Sequence, residues 1–234
     1  NKFQTYSFTN LHYTWYNMFG DKMRLKNVKG ASTRIASSPI IIQNPIEFKG
    51  KYKDLFGNDN PIYLEIGMGK GDFIIQNALK YPNINFIGIE KYDSVIVRAL
   101  DKIEAYGKLD NLKLIRIDAL NINQIFNHEI SLMYLNFSDP WPKNRHEHRR
   151  LTSRNFLEKY DDIFLNNNHI IQKTDNRHFF EYSLISYVNY NYKIEALSLN
   201  LYQDDLKDNI ASEYEKKFVA KGVNIYKIEV FKEN

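Results

Sequence analysis

Tyr63 to Phe73 reads YLEIGMGKGDF: an apolar run breaks into glycines at 67, 69 and 71, and helix-forming residues follow. A strand that enters a glycine turn and leaves as a helix is the first βα unit of a nucleotide-binding sheet. Working outward, short β-rich runs alternate with amphipathic stretches of helical length, the pattern of a parallel sheet with crossover helices. The expected strands are 62–66, 85–90, 112–118, 130–137, 169–173, 192–199 and 225–231. The expected helices are 71–80, 93–106, 153–166 and 177–189. This is an α/β sandwich, a seven-stranded, mostly parallel sheet with helices on both faces. Ligands of such sheets sit at the carboxyl ends of the strands, so the residues ending each strand come next.

Gly67, Gly69 and Gly71 let the backbone turn tightly and let a ligand lie against it. A GxGxG turn alone also occurs in loops that bind nothing. The second strand ends at Glu90, a little over twenty residues on, where a carboxylate can accept both hydroxyl protons of an adenosyl ribose. The third ends at Asp118, just before Ala119, where an acceptor can meet an adenine amino group. Glu65, two positions before the turn, would repel a pyrophosphate and attract a cation. S-adenosylmethionine is therefore favoured over a dinucleotide.

The fourth strand runs into Asn136 to Leu151, NFSDPWPKNRHEHRRL. Two prolines around Trp141 fix the backbone after Asp139. Lys143, Arg145, Arg149 and Arg150, with His146 and His148 interleaved, suit phosphate contacts, and Trp141 offers a stacking face or packing for the loop. The plain alternative is a solvated basic loop. No third ligand accompanies the two histidines at zinc spacing and there is no HExxH helix, so no metal is expected. No GxSxG elbow points to a hydrolase.

At 234 residues, 43% hydrophobic and 26% charged, the chain can bury a full core. A net charge of +4 permits a polyanionic partner without demanding one. The absence of cysteine removes disulfides and thiolate chemistry. No stretch is long and apolar enough to span a bilayer. Residues 1–22 are polar, aromatic and Asn-rich and stay unassigned, an extension or a leader; 23–234 form the expected domain. Met23 to Ala31 is basic, an arm near a nucleic acid or a solvated terminus. A soluble cytoplasmic protein is expected, with an organellar one as the alternative if the extension is a leader. The oligomeric state stays open between monomer and homodimer.

Tyr63 to Phe73, Ile87 to Glu90, Phe137 to Leu151, Lys173 to Glu181 (KTDNRHFFE) and Ser212 to Gly222 (SEYEKKFVAKG) together resemble the bacterial single-subunit tRNA (guanine-N7)-methyltransferases. The resemblance runs from about Met23 to the C-terminus; its DPWPK and SEYE blocks are specific, its glycine turn generic. It implies a Rossmann-like class I methyltransferase fold and methyl transfer to a guanosine of the tRNA variable loop. By position it implies S-adenosylmethionine contacts at Glu65, Glu90, Asp118 and Asp139, to which the strand-end reading adds Gly67, Gly69, Gly71, Ala119 and Asn136. It implies tRNA contacts at Lys143, Arg145, His146, Arg149, Arg150, Asp175, Ser212, Glu213, Tyr214 and Glu215. Asp139 is the expected catalytic residue, orienting the base rather than moving a proton. Ser212 stands where the family usually has Thr, and Tyr182 where it often has Trp. Two other readings stay open, a noncatalytic RNA-binding protein on this fold and an RNA methyltransferase with another target atom.

Overall fold

The computed structural model describes residues 28–204 and 209–233; residues 1–22 and most of the basic segment from Met23 lie outside them. In chain order the elements are α1 (Ala31–Ser37), α2 (Tyr52–Phe56), β1 (Ile62–Ile66), α3 (Asp72–Lys80), β2 (Asn85–Glu90), α4 (Asp93–Tyr106), β3 (Leu112–Arg116) and α5 (Ile122–Ile125). There follow β4 (Ile130–Asn136), α6 (Arg154–Asp161), β5 (Asn168–Thr174), α7 (Arg177–Asn189), β6 (Lys193–Ser198), α8 (Glu213–Val219) and β7 (Tyr226–Lys232). The strands form one sheet in the order β3-β2-β1-β4-β5-β7-β6. The first five are parallel; β7 runs antiparallel between β5 and β6.

The central strands are apolar on both sides because helices cover both faces. On one face, Leu64, Ile87 and Met133 share a cluster with Leu157, Tyr160 and Tyr187. On the other, Phe86, Leu112 and Leu114 pack with Ile74, Ile96, Leu100 and Ala31. In α4 the stripe Ile96, Val97, Ala99, Leu100 and Ile103 is buried, the helical spacing that the sequence shows. Gly88 in β2 keeps room for the glycine turn: a Cβ there would lie 2.5 Å from Met68 Sδ.

All seven expected strands form, β1 and β2 with the expected ends and the other five with ends shifted by one or two residues. β3 stops at Arg116 because Asp118 leaves the sheet to cap a 3-10 turn, accepting the Leu120 N–H at 3.0 Å. β4 stops at Asn136 because Phe137 has a φ of 53°. The third major helix ends at Asp161 rather than 166, since Ile163 and Phe164 turn into the core and Phe164 bridges Ile130. Four short helices, α1, α2, α5 and α8, were not expected; each is too short to show a period. Among the described residues no helix is long and apolar enough to cross a membrane.

Candidate cofactor and RNA site

The ends of β1 to β4 bring the expected cofactor residues together. Gly67, Gly69 and Gly71 have φ values of 74°, 57° and 80°, left-handed backbone that glycine adopts without penalty. At Gly67 and Gly69 the space a Cβ would fill is open. Glu90 accepts the N–H groups of Gly69 at 3.2 Å, Lys91 at 2.7 Å and Tyr92 at 3.1 Å, so it ties the turn to the end of β2. Burial raises its pKa, and those N–H groups partly offset the rise. Asp118 pairs with Lys91 at 2.9 Å, beside Ala119. Burial works against ionisation of Asp118, but Lys91 and the Leu120 N–H hold its pKa below the usual value.

Glu65 is buried, and Asn136 Nδ2 donates to its Oε1 at 2.9 Å. Its Oε2 has no partner, and neither do Asn136 Oδ1 and Ser138 Oγ. Burial lifts the Glu65 pKa to about 7 against the pull of Asn136 and Lys173. Buried polar atoms without partners are uncommon in native proteins. Three at neighbouring strand ends, one a carboxylate oxygen, fit a ligand that brings an ammonium group and other polar atoms.

Asp139 lies exposed just past β4. Phe137 and Trp141 on either side of it have φ of 53° and 40°, strained for side chains of this size. The loop is held in that shape by Arg150, whose Nε donates to Pro140 O at 3.1 Å and whose Nη2 donates to Trp141 O at 3.1 Å. Its guanidinium lies 4.1 Å from the Tyr182 ring centroid, and the Tyr182 hydroxyl donates to Glu147. Arg150, expected on phosphate, is thus engaged in holding the loop. Arg149 sits 4.9 Å over the Trp141 ring and is exposed, as are Lys143 and Arg145; His146 is half-buried, its ring 5.8 Å from that of Trp141.

Ser212 to Glu215, expected to contact tRNA, cap and start α8, with Ser212 Oγ accepting the Glu215 N–H at 3.1 Å. Lys70 of the glycine turn donates to Glu213 at 3.1 Å, and Lys102 bridges Glu213 and Asp72, so the helix start is drawn onto the turn. Tyr214 stacks on Phe218 and packs against Phe137, with centroids 4.3 and 4.9 Å apart. Its hydroxyl lies near Asp175, just past β5, whose pKa is raised by burial. Asp139 lies close enough for its charge to act on both Glu90 and Tyr214.

Glu90, Asp139, Asp175 and Tyr214 thus face one region, while Lys143, Arg145, His146 and Arg149 form an outer basic rim. Glu215 does not face outward at all: it is fully buried against Lys173, Asn209 and Tyr202. Sequence reasoning missed Lys173, Tyr182, Lys70 and Lys102. Lys173 left one signal, a cation in a strand where an apolar residue is expected.

Residues 59–228 match the model of a family described as "Putative methyltransferase". A tRNA (guanine-N(7)-)-methyltransferase of a Geobacillus species is 50% identical over 210 residues, covering 89% of this chain and 95% of that protein. One from Lysinibacillus sphaericus is 47% identical, covering 88% and 97%. Among solved structures, an antibiotic-related methyltransferase aligns with a TM-score of 0.58 at 16% identity, over 79% of this chain and 94% of that one. A SAM-dependent methyltransferase from Aquifex aeolicus aligns at 0.52 and 11% identity, over 88% and 99%. These last two carry the fold, a Rossmann-like methyltransferase sheet. The identity and coverage of the first two carry more: this chain belongs to the tRNA (guanine-N7)-methyltransferase family.

Proposed function

We infer that the protein transfers a methyl group from S-adenosylmethionine to N7 of a guanosine in tRNA, the target lying in the variable loop. The observation that carries this is the placement of a buried, half-satisfied carboxylate, Glu65, at the same sheet edge as Asp139, Asp175 and Tyr214. When bound, S-adenosylmethionine supplies an electrophilic methyl on a positively charged sulfur. Glu65, Asn136 and Ser138 would hold its amino-acid end, Glu90 its ribose hydroxyls, and Asp118 with Ala119 its adenine.

Guanine N7 carries an in-plane lone pair and no proton at neutral pH, so no general base is needed. The residues must instead hold N7 in line with the methyl group, a task worth as much as about 7 to 11 kcal/mol. Asp139 and Asp175 accept hydrogen bonds from guanine N1–H and the exocyclic amine and favour the positive charge that forms on the ring. A stacked base hides N7 from a sheet edge, so the guanosine swings out, and the exposed Tyr214 ring is placed to receive its face. The test is incubation with methyl-labelled cofactor and unmodified tRNA, followed by nucleoside analysis. Label in 7-methylguanosine, absent when the variable-loop guanosine is replaced by adenosine, is expected. Label in another nucleoside, or none, overturns the reading.

Two further outcomes follow from the contacts. Glu90→Ala should weaken cofactor binding by on the order of 1.5 to 3 kcal/mol while leaving tRNA affinity nearly unchanged, because the lost contacts are charge-assisted hydrogen bonds to the cofactor and to Gly69. Calorimetry with each ligand reads the difference, and equal loss of both affinities counts against the assignment. For the rim, Arg149→Ala should make the slope of log tRNA affinity against log salt shallower by about one unit, the signature of one phosphate contact. Arg150→Ala should lower turnover through the Asp139 loop with the slope unmoved. Two identical slope changes would return Arg150 to the phosphate-binding set.

A further inference from the structure

Lys173 is the penultimate residue of β5, and its side chain is 4% exposed. Its ammonium donates to Glu215 Oε2 at 2.6 Å, Asn209 Oδ1 at 3.1 Å and Ile210 O at 3.0 Å, which uses all three protons. It also lies 5.0 Å from the centroid of the Phe73 ring, at the start of α3. Glu215 has no exposed side-chain surface and takes two more donors, the Tyr202 hydroxyl at 3.0 Å and Asn209 Nδ2 at 2.8 Å. A buried ion pair is a poor device for stability, since desolvation offsets the attraction and apolar side chains of similar volume often serve as well. The pair is better understood from what lies on either side of it.

The Lys173 carbonyl accepts the Phe137 N–H at 2.8 Å, two residues before Asp139. Two residues after Lys173 comes Asp175. One residue before Glu215 comes Tyr214, whose ring packs on Phe137 with centroids 4.9 Å apart and whose hydroxyl lies near Asp175. The Lys173–Glu215 pair therefore closes a ring of contacts through the guanine-facing residues, at a distance from any surface that tRNA can touch.

We propose that Lys173 is a positioning residue for methyl transfer: by holding Glu215 it fixes the start of α8 so that Tyr214 stays on Asp175. Glu215 then serves the tRNA site through Lys173 and not by contact with the nucleic acid. The proposal rests on the methyl-transfer reading above and adds a residue to it.

The test is a cycle on the full-length chain, read as the single-turnover rate at saturating cofactor and tRNA. Lys173→Met leaves a carboxylate buried and unpaired, and the chain carrying it is expected to lose stability. The double variant Lys173→Met with Glu215→Met replaces the ion pair by apolar groups and should unfold near the wild-type temperature. Its turnover should still fall about 100-fold, the scale that a small misplacement of reacting groups carries. Tyr214→Phe should slow the wild-type chain about tenfold and the double variant hardly at all, because the Tyr214–Asp175 contact is already lost there. A double variant with near-normal turnover, or a Tyr214→Phe effect of equal size in both backgrounds, overturns the proposal. Failure of the wild-type chain to form 7-methylguanosine would instead strike the underlying activity, and that control is run first.

Discussion

Asp139→Ala is expected to abolish formation of 7-methylguanosine, by about a thousandfold or more, while the thermal unfolding transition stays where it is. The side chain is exposed beyond the end of β4, so removing it opens no cavity and strands no buried partner. What it takes away is the acceptor beside the developing charge on the guanine ring. Asp139→Asn should keep a small residue of activity, because an amide oxygen can still orient the base but supplies no charge. Nucleoside analysis of reacted tRNA and a thermal melt check both halves. Near-normal turnover in the alanine variant would remove Asp139 from the reaction.

Glu65→Gln should have two large effects of opposite kind. In the unfolded chain Glu65 ionises near 4.5, whereas burial holds it protonated up to about 7 in the folded protein without cofactor. The unfolded state therefore loses its proton first as pH rises, and the folded state is progressively disfavoured across that window. Above it the cost approaches roughly 3 kcal/mol. The groups acting on this carboxylate are Lys173 on β5, Glu90 on β2 and Asp72 on α3, with Asn136 as its hydrogen-bond donor. Glutamine has no charge to bury, so without cofactor the variant should be more stable than the wild type at pH 8. The advantage should vanish near pH 5. Cofactor affinity should move the other way and fall by about 10- to 100-fold, since the ammonium of the amino-acid end loses its charged partner. Denaturant midpoints at the two pH values and calorimetry at pH 8 read both; a variant that binds as tightly as wild type would take Glu65 out of the cofactor site.

The parallel half of the sheet was legible because each strand is a short apolar run closed by a turn residue, and because strand ends in such sheets carry ligands. Glu90 and Asp118 stood out as strand-end residues on that rule, and Glu65 by its place before the glycine turn, whereas the role given to Asp139 came with the family resemblance. The placement of β7 between β5 and β6 could not, since it is decided by pairing between segments far apart in the chain. Arg150 and Glu215 show the same limit within the site. A long charged side chain looks alike in sequence whether it meets solvent or a buried partner, and the partners here, Tyr182 and Lys173, lie 32 and 42 positions away. The early stop of α6 is a case of tertiary packing overriding local preference, with Ile163 and Phe164 worth more in the core than in another helical turn.

The insertion of β7 also sets a schedule for how the protein is made. β6 pairs with β7 alone, and β5 has β7 on one side. A nascent chain emerging from the ribosome can assemble β1 to β5 in order, as each parallel strand finds a neighbour already present. It must then carry β6 unpaired and the edge of β5 open until residues 226–232 emerge. Exposed edges of this kind invite pairing with other chains. The interval between synthesis of β6 and synthesis of β7 is therefore when the chain's strand edges stand most open. The same last strand backs Lys173, which pairs in register with Lys227. A competent site thus waits on the emergence of β7.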